Sequence, residues 1–197
     1  MILKLYIYFL LVFISLSCFG QTLGYDKMRL SKLILKNGDT MNVIGKFKSK
    51  VFKYQKYKTS KSETIEYSKI ESMKIAFGKD SIRTFRFFSL DNKDKIFPVE
   101  ELVLGEKIDL YGVTKNFMTN SGEIRLQMSS IVYYMKKKSE IKLIKLGSYS
   151  PPFDNIEKKL RAIFINCNLI LKKIENKEFI IRTDIEIMFE FYNKNCE

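Results

Sequence analysis

From residue 30 to residue 146 the chain alternates short apolar and polar runs, a pattern that buries one face of a β-strand and leaves the other wet. The first predicted strand covers 30–36 and ends at Asn37-Gly38-Asp39. That triplet predicts a tight hairpin, because glycine and asparagine tolerate the positive φ such turns require. The return strand covers 40–47, and the next, 51–57, alternates Phe52 and Tyr54 with lysines. Strands at 64–67 and 72–77 follow. The segment 81–90, with Phe85, Phe87 and Phe88, suits a central strand.

Beyond the polar turn at 91–94 the chain passes through Pro98 in a strand over 95–103. Further strands are predicted at 107–111, 113–118, 122–128, 131–137 and 141–146. Many short strands with no helical period between them imply a mainly antiparallel sandwich, barrel or curled sheet, the three left open. The composition shifts at Gly147-Ser148-Tyr149-Ser150-Pro151-Pro152, and a helical period follows: Ile156, Leu160, Ile163, Cys167, Ile170 and Ile174. Asp154 with Glu157, and Thr183 with Glu186, have the spacing of capping boxes. The expected class is therefore α+β, a β-rich body followed by a small C-terminal helical hairpin. Asn166 and Asn168 mark a place where the first helix would break in two.

The opening residues change the picture. Lys4, an apolar run over 5–16 and the small-residue exit Ser17-Cys18-Phe19-Gly20 have the layout of a secretory signal peptide. The run falls short of the roughly 20 apolar residues that span a bilayer. The chain thus divides into a signal peptide (1–20), a β-rich domain (21–150) and a helical C-terminal segment (151–197). The mature protein is expected to be secreted or periplasmic and to have no transmembrane span. Lipidation at Cys18 and an uncleaved anchor are the competing readings. Of three cysteines, Cys18 leaves with the leader, and an exported chain with Cys167 and Cys196 remaining is expected to pair them as a disulfide. A redox motif would set the two only two residues apart.

Hydrophobic residues make up 46% of the chain, enough to build a packed core rather than a disordered coil. The net charge is +13, yet only six of the 35 basic residues are arginine, whose planar fork is what specific nucleic-acid readout favours. Nucleic acid is therefore not the expected partner. Lysines cluster at Lys46, Lys48, Lys50, Lys53, Lys56 and Lys58 and again at Lys136, Lys137 and Lys138. Strand alternation puts much of the first cluster on one face. It is either a plain solvated surface or a dock for an anionic cell-envelope glycan or lipid.

Catalytic chemistry is narrowed by what is missing. The chain contains no histidine, which removes the Ser-His-Asp and Cys-His nucleophiles and every histidine metal site. Phosphate-cradling glycine loops and nucleophile elbows are absent as well. Carboxylate pairs remain, Glu100 with Glu101 and Asp91 with Asp94, of the type that runs glycoside hydrolysis. Solvated turn carboxylates are the commoner explanation. Lysines at alternate positions of 91–95 disqualify a calcium loop. No catalytic, cofactor or metal residue is assigned, and a non-enzymatic binding or structural protein leads over a carboxylate-based polysaccharide hydrolase.

The leader ending Phe19-Gly20-Gln21, the Leu35-Lys36-Asn37-Gly38-Asp39-Thr40 turn, Gly105-Glu106-Lys107-Ile108-Asp109-Leu110-Tyr111, Tyr133-Tyr134-Met135-Lys136 and Tyr192-Asn193-Lys194-Asn195-Cys196 together resemble a group of uncharacterised secreted proteins of Bacteroidetes. The resemblance covers most of the mature chain with loose motifs. It implies export and this fold, and brings no activity with it. In that group a proline usually follows the first tail cysteine. Asn168 stands there instead and would let a helix run on through Cys167.

Overall fold

The computed structural model describes residues 27–89, 95–121, 124–149 and 155–196. Ten strands form one antiparallel sheet: β1 (Arg29–Leu35), β2 (Thr40–Phe47), β3 (Val51–Gln55), β4 (Glu63–Glu66), β5 (Ile70–Ala76), β6 (Ile82–Ser89), β7 (Ile96–Val103), β8 (Ile108–Ser121), β9 (Ile124–Lys137) and β10 (Ile144–Ser148). Their order is β10-β9-β8-β7-β6-β5-β1-β2-β3-β4, so two meanders join where β5 returns to the free edge of β1. Three helices follow, α1 (Ile156–Ile163), α2 (Asn168–Glu175) and α3 (Ile185–Asn195), the first helical stretch of the tail breaking in two between Phe164 and Cys167, beside the Asn166 and Asn168 that marked the break. The α+β class holds, and of the three sheet forms left open the chain adopts the curled, open one.

The predicted hairpin forms at Gly38, whose φ of +91° is open to glycine and costly to a β-carbon. Leu35 N donates to Asp39 O across it at 2.8 Å. Two segments expected as four strands are instead the long partners β8 and β9, paired from Ile108 with Lys137 to Ser121 with Ile124. Gly112 suggested a break in the first of them. It sits mid-strand because a β-carbon there would come within 3.0 Å of Leu102 and 3.1 Å of Ile131, so the residue permits close packing rather than a turn.

Curling is enforced by aromatic packing. Phe47 on β2 and Phe85 on β6 are three positions apart in the strand order, which would separate them by roughly 14 Å in a flat sheet. Their rings lie 5.1 Å apart. Tyr67, in the 3-10 turn between β4 and β5, stacks on Phe87 at 5.2 Å and hydrogen-bonds Lys48 through its hydroxyl. The inner face of this half thereby closes over Leu33, Val43, Phe52, Ile70, Met73 and Ile75.

The other half buries its inner face under the helices. Val103, Ile108, Leu110, Met135 and Leu146 meet Leu160, Phe164, Ile170, Ile185, Met188 and Phe189. Helix α1 starts at Asn155, whose side chain accepts Lys158 N. Expected cap Asp154 lies outside the described residues. The Thr183–Glu186 box does not form: Asp184 is the cap position, and Thr183 Oγ1 bonds the Asp184 carboxylate at 2.9 Å. The helix does not run through Cys167 either; it stops at Phe164, and Cys167 caps α2.

Two devices fasten the tail. Cys167 and Cys196 form a disulfide with Cα atoms 5.5 Å apart, closing 29 residues. Asn193 on α3 accepts from Lys107 N and Ile108 N at 3.0 Å each and donates to Ile108 O and Phe189 O at 2.9 Å. Gly105 makes room, since a β-carbon there would lie 2.0 Å from the Asn193 carboxamide.

Replacing Cys196 by serine is expected to lower unfolding free energy by roughly 3.5 kcal/mol, the chain-entropy value for this loop, measured by urea denaturation without reductant. The paired control is the wild type under reductant, which should match the variant. Asn193→Ala leaves Lys107 N and Ile108 N without their acceptor and should cost about 2 to 4 kcal/mol in the same assay.

Candidate functional site

The carboxylates singled out from the sequence are divided by strand geometry. Glu100 and Glu101 are neighbours on β7, so their side chains leave by opposite faces. Glu100 pairs with Arg83 at 3.1 Å, and Glu101 with Arg86 at 2.5 Å. They cannot flank one glycosidic bond. Asp91 and Asp94 lie outside the described residues. The second lysine cluster is partly consumed: Lys137 pairs with Glu140, and Lys138 with Asp109 at 2.8 Å.

The first cluster behaves differently. On the face of the sheet turned away from the core, register sets Leu30 opposite Ile44 and Ala76 opposite Ile82, while pairing of Ser31 with Ile75 brings Leu30 beside Ala76. An apolar row thus runs across β6, β5, β1 and β2. Leu30 is 67% exposed and Ile82 67% exposed, so this row faces solvent. One residue pair further along the strands, Lys32 stands directly opposite Lys74. On the other side of the row Lys46 stands directly opposite Lys53. Directly opposed like charges destabilise a sheet.

A loop closes one end. Gln55 Nε2 donates to Ser60 O at 2.8 Å, and Ser60 Oγ accepts from Tyr57 N and donates to Tyr57 O. This fixed turn stands Tyr57, 73% exposed, between Lys56 and Lys58 at the end of the row. The result is a groove of about 700 Å³ with no acidic residue in its lining. Among the described residues none of Lys32, Lys46, Lys53, Lys56, Lys58 and Lys74 makes an ion pair. An apolar floor between unneutralised lysines can hold an anion, and can hold an apolar group beside it.

Two other polar clusters are structural. Asp109 is buried, and its carboxylate accepts from Lys138, Tyr111 and Gly105 N, which pins the β7–β8 turn to the end of β9. Burial and the Asp109 charge push the Tyr111 hydroxyl up, so it stays a neutral donor. On the inner face, burial and then the Glu100 and Glu190 carboxylates push Glu186 above the usual carboxylate range. Neither that seam nor Asp109 borders the lysine groove. Among the described residues no group of acidic or cysteine side chains is placed to hold a metal ion.

Set beside known proteins, the chain matches no family model, no curated protein and no solved structure. The groove must therefore be read from its own residues. The sequence had grouped Lys46, Lys48, Lys50, Lys53, Lys56 and Lys58, of which Lys56 and Lys58 line the groove. It missed Lys32, Lys74, Leu30 and Ile82, because β5 and β6 reach the β1–β2 hairpin only through the non-local pairing of β5 with the free edge of β1.

Because the Lys32–Lys74 opposition costs stability, Lys74→Gln should stabilise the protein by about 0.2 to 1 kcal/mol in low-salt urea denaturation. The gain should shrink at about 1 M salt, where the screening length is near 3 Å.

Proposed function

We propose that this is an exported, non-enzymatic binding protein of the periplasm or cell surface, and that the lysine-banked groove on its outer sheet face takes an anionic ligand. The observation that carries the reading is the directly opposed Lys32–Lys74 pair, unneutralised beside exposed apolar side chains. Bringing an anion between two such ammonium groups removes their repulsion and adds two charge-assisted contacts. The net charge of +13 would speed the approach of an anionic partner. Export is supported by the Cys167–Cys196 disulfide, which persists in oxidising compartments, together with the leader pattern in the first twenty residues. No helix among the described residues is long and apolar enough to cross a membrane. Kinship with the exported Bacteroidetes proteins that the sequence resembles belongs to the same proposal.

Calorimetric titration with a sulfated polysaccharide and with a fatty acid tests the reading at the level of charge. Binding of at least one is expected at about 0.01 M salt, where the screening length is near 30 Å, and should weaken steeply at about 1 M. Affinity that ignored salt, or that survived Lys32→Gln with Lys74→Gln, would show that the groove is not an anion site.

A further inference from the structure

Resting on that reading, we propose that the ligand is a single-chain anionic lipid, its acidic head held between Lys32 and Lys74 and its acyl chain laid across the strands on Leu30 and Ile44. Head and tail follow from the geometry of one sheet face. Lys32 and Lys74 occupy directly opposed positions, where β-carbons of facing strands lie about 4.5 to 5.5 Å apart, a spacing one carboxylate or phosphate bridges. Side chains two residues away along the strands begin the apolar row, about 6.6 Å from the head. From β6 to β2 that row crosses three strand spacings of about 4.8 Å, which gives a chain roughly 14 Å to lie on, with Tyr57 standing beyond its β2 end.

The floor decides between lipid and glycan. Leu30, Ile44, Ala76 and Ile82 offer no hydrogen bond to a sugar hydroxyl, and Asn42 is the single amide in the lining. A hydrocarbon needs no such partner, and the aliphatic stems of the flanking lysines add to the surface that covers it. The volume of about 700 Å³ lies within the usual range for one small ligand. A bilayer surface would reach the rim, at Tyr57 and the lysine heads, and leave the floor unfilled.

The test displaces a fluorescent fatty-acid analogue from the protein with palmitate, butyrate or a neutral alcohol of palmitate's length, each below its aggregation threshold, and separately with anionic phospholipid vesicles. Palmitate should displace the probe at a single saturable site. Each buried methylene strengthens binding roughly fourfold, so butyrate should be at least about a hundredfold weaker. The neutral alcohol, and palmitate on Lys32→Gln/Lys74→Gln, should be weaker by about tenfold or more. Leu30→Gln/Ile44→Thr should weaken palmitate and leave butyrate unchanged. Neither double variant should unfold earlier than wild type in urea, since all four positions lie on the outer face. Equal affinity for palmitate and butyrate would overturn the lipid assignment and leave the anion site standing. Capture by vesicles with no displacement by monomeric palmitate would overturn it in favour of membrane docking. Tight binding of the sulfated polysaccharide alone would overturn it in favour of a glycan. Binding to none of these anions would overturn the anion site as well.

Discussion

The carboxamide of Asn193 makes four hydrogen bonds, three of them to the backbone at the start of β8, and the C-terminal half is organised around that grip. Helices as short as α1 and α2, of eight residues each, are not stable alone in water. They form because α3 is fixed to the sheet and offers Met188 and Phe189 as a second apolar surface beside Leu110 and Met135. The disulfide then returns Cys196, three residues beyond Asn193, to the N-terminus of α2. Gly105 completes the arrangement, since no larger residue leaves space for the carboxamide.

Covering β7 to β10 with helices leaves the N-terminal strands to solve their burial differently. They curl until Phe47 reaches Phe85 and Tyr67 reaches Phe87, so these aromatic side chains cover the inner face without a helix over it. Among the described residues, no further layer packs on the outer face of those same strands. Scattered exposed apolar residues are ordinary on a protein surface. A contiguous apolar row banked by opposed lysines is less ordinary, because it combines exposed hydrocarbon with charge repulsion in one place.

Much of this architecture was legible along the chain. The Asn37-Gly38-Asp39 turn and the strand at 40–47 were readable because turn chemistry and period-two alternation act over a few residues. The Cys167–Cys196 pairing was readable from parity and compartment. What escaped was non-local. Gly112 falls between two short predicted strands, whereas in the sheet it lies within one long strand and leaves room for Leu102 and Ile131 where a β-carbon would crowd them. Thr183 with Glu186 reads as a capping box, yet Asp184 takes the cap position and Thr183 bonds its carboxylate. The pairing of Lys32 with Lys74 joins residues 42 apart in sequence, through a crossover that no local pattern announces.

The outer face itself contains the comparison that gives the groove its meaning. Further along the same face, Arg86 is shared between Glu71 and Glu101, and Lys138 meets the buried Asp109, so each of these basic groups is matched by acid. There the sheet treats charge as structure: burial is accompanied by a counter-ion, and the apolar residues Val99, Val132 and Tyr134 are packed away beside it. Across β1, β2 and β3, and at Lys74 on β5, the counter-ions stop, although acids stand at Glu63 and Glu66 on neighbouring β4. One of these, Glu63, is turned to the hydroxyl of Tyr54 instead of to a groove lysine. A surface selected only for solubility would interleave the two signs, since mixed charge costs less than opposed lysines. The segregation of positive charge around an apolar floor is the feature on which the proposed anion site rests, since a ligand's negative charge would supply the counter-ion that the sheet does not.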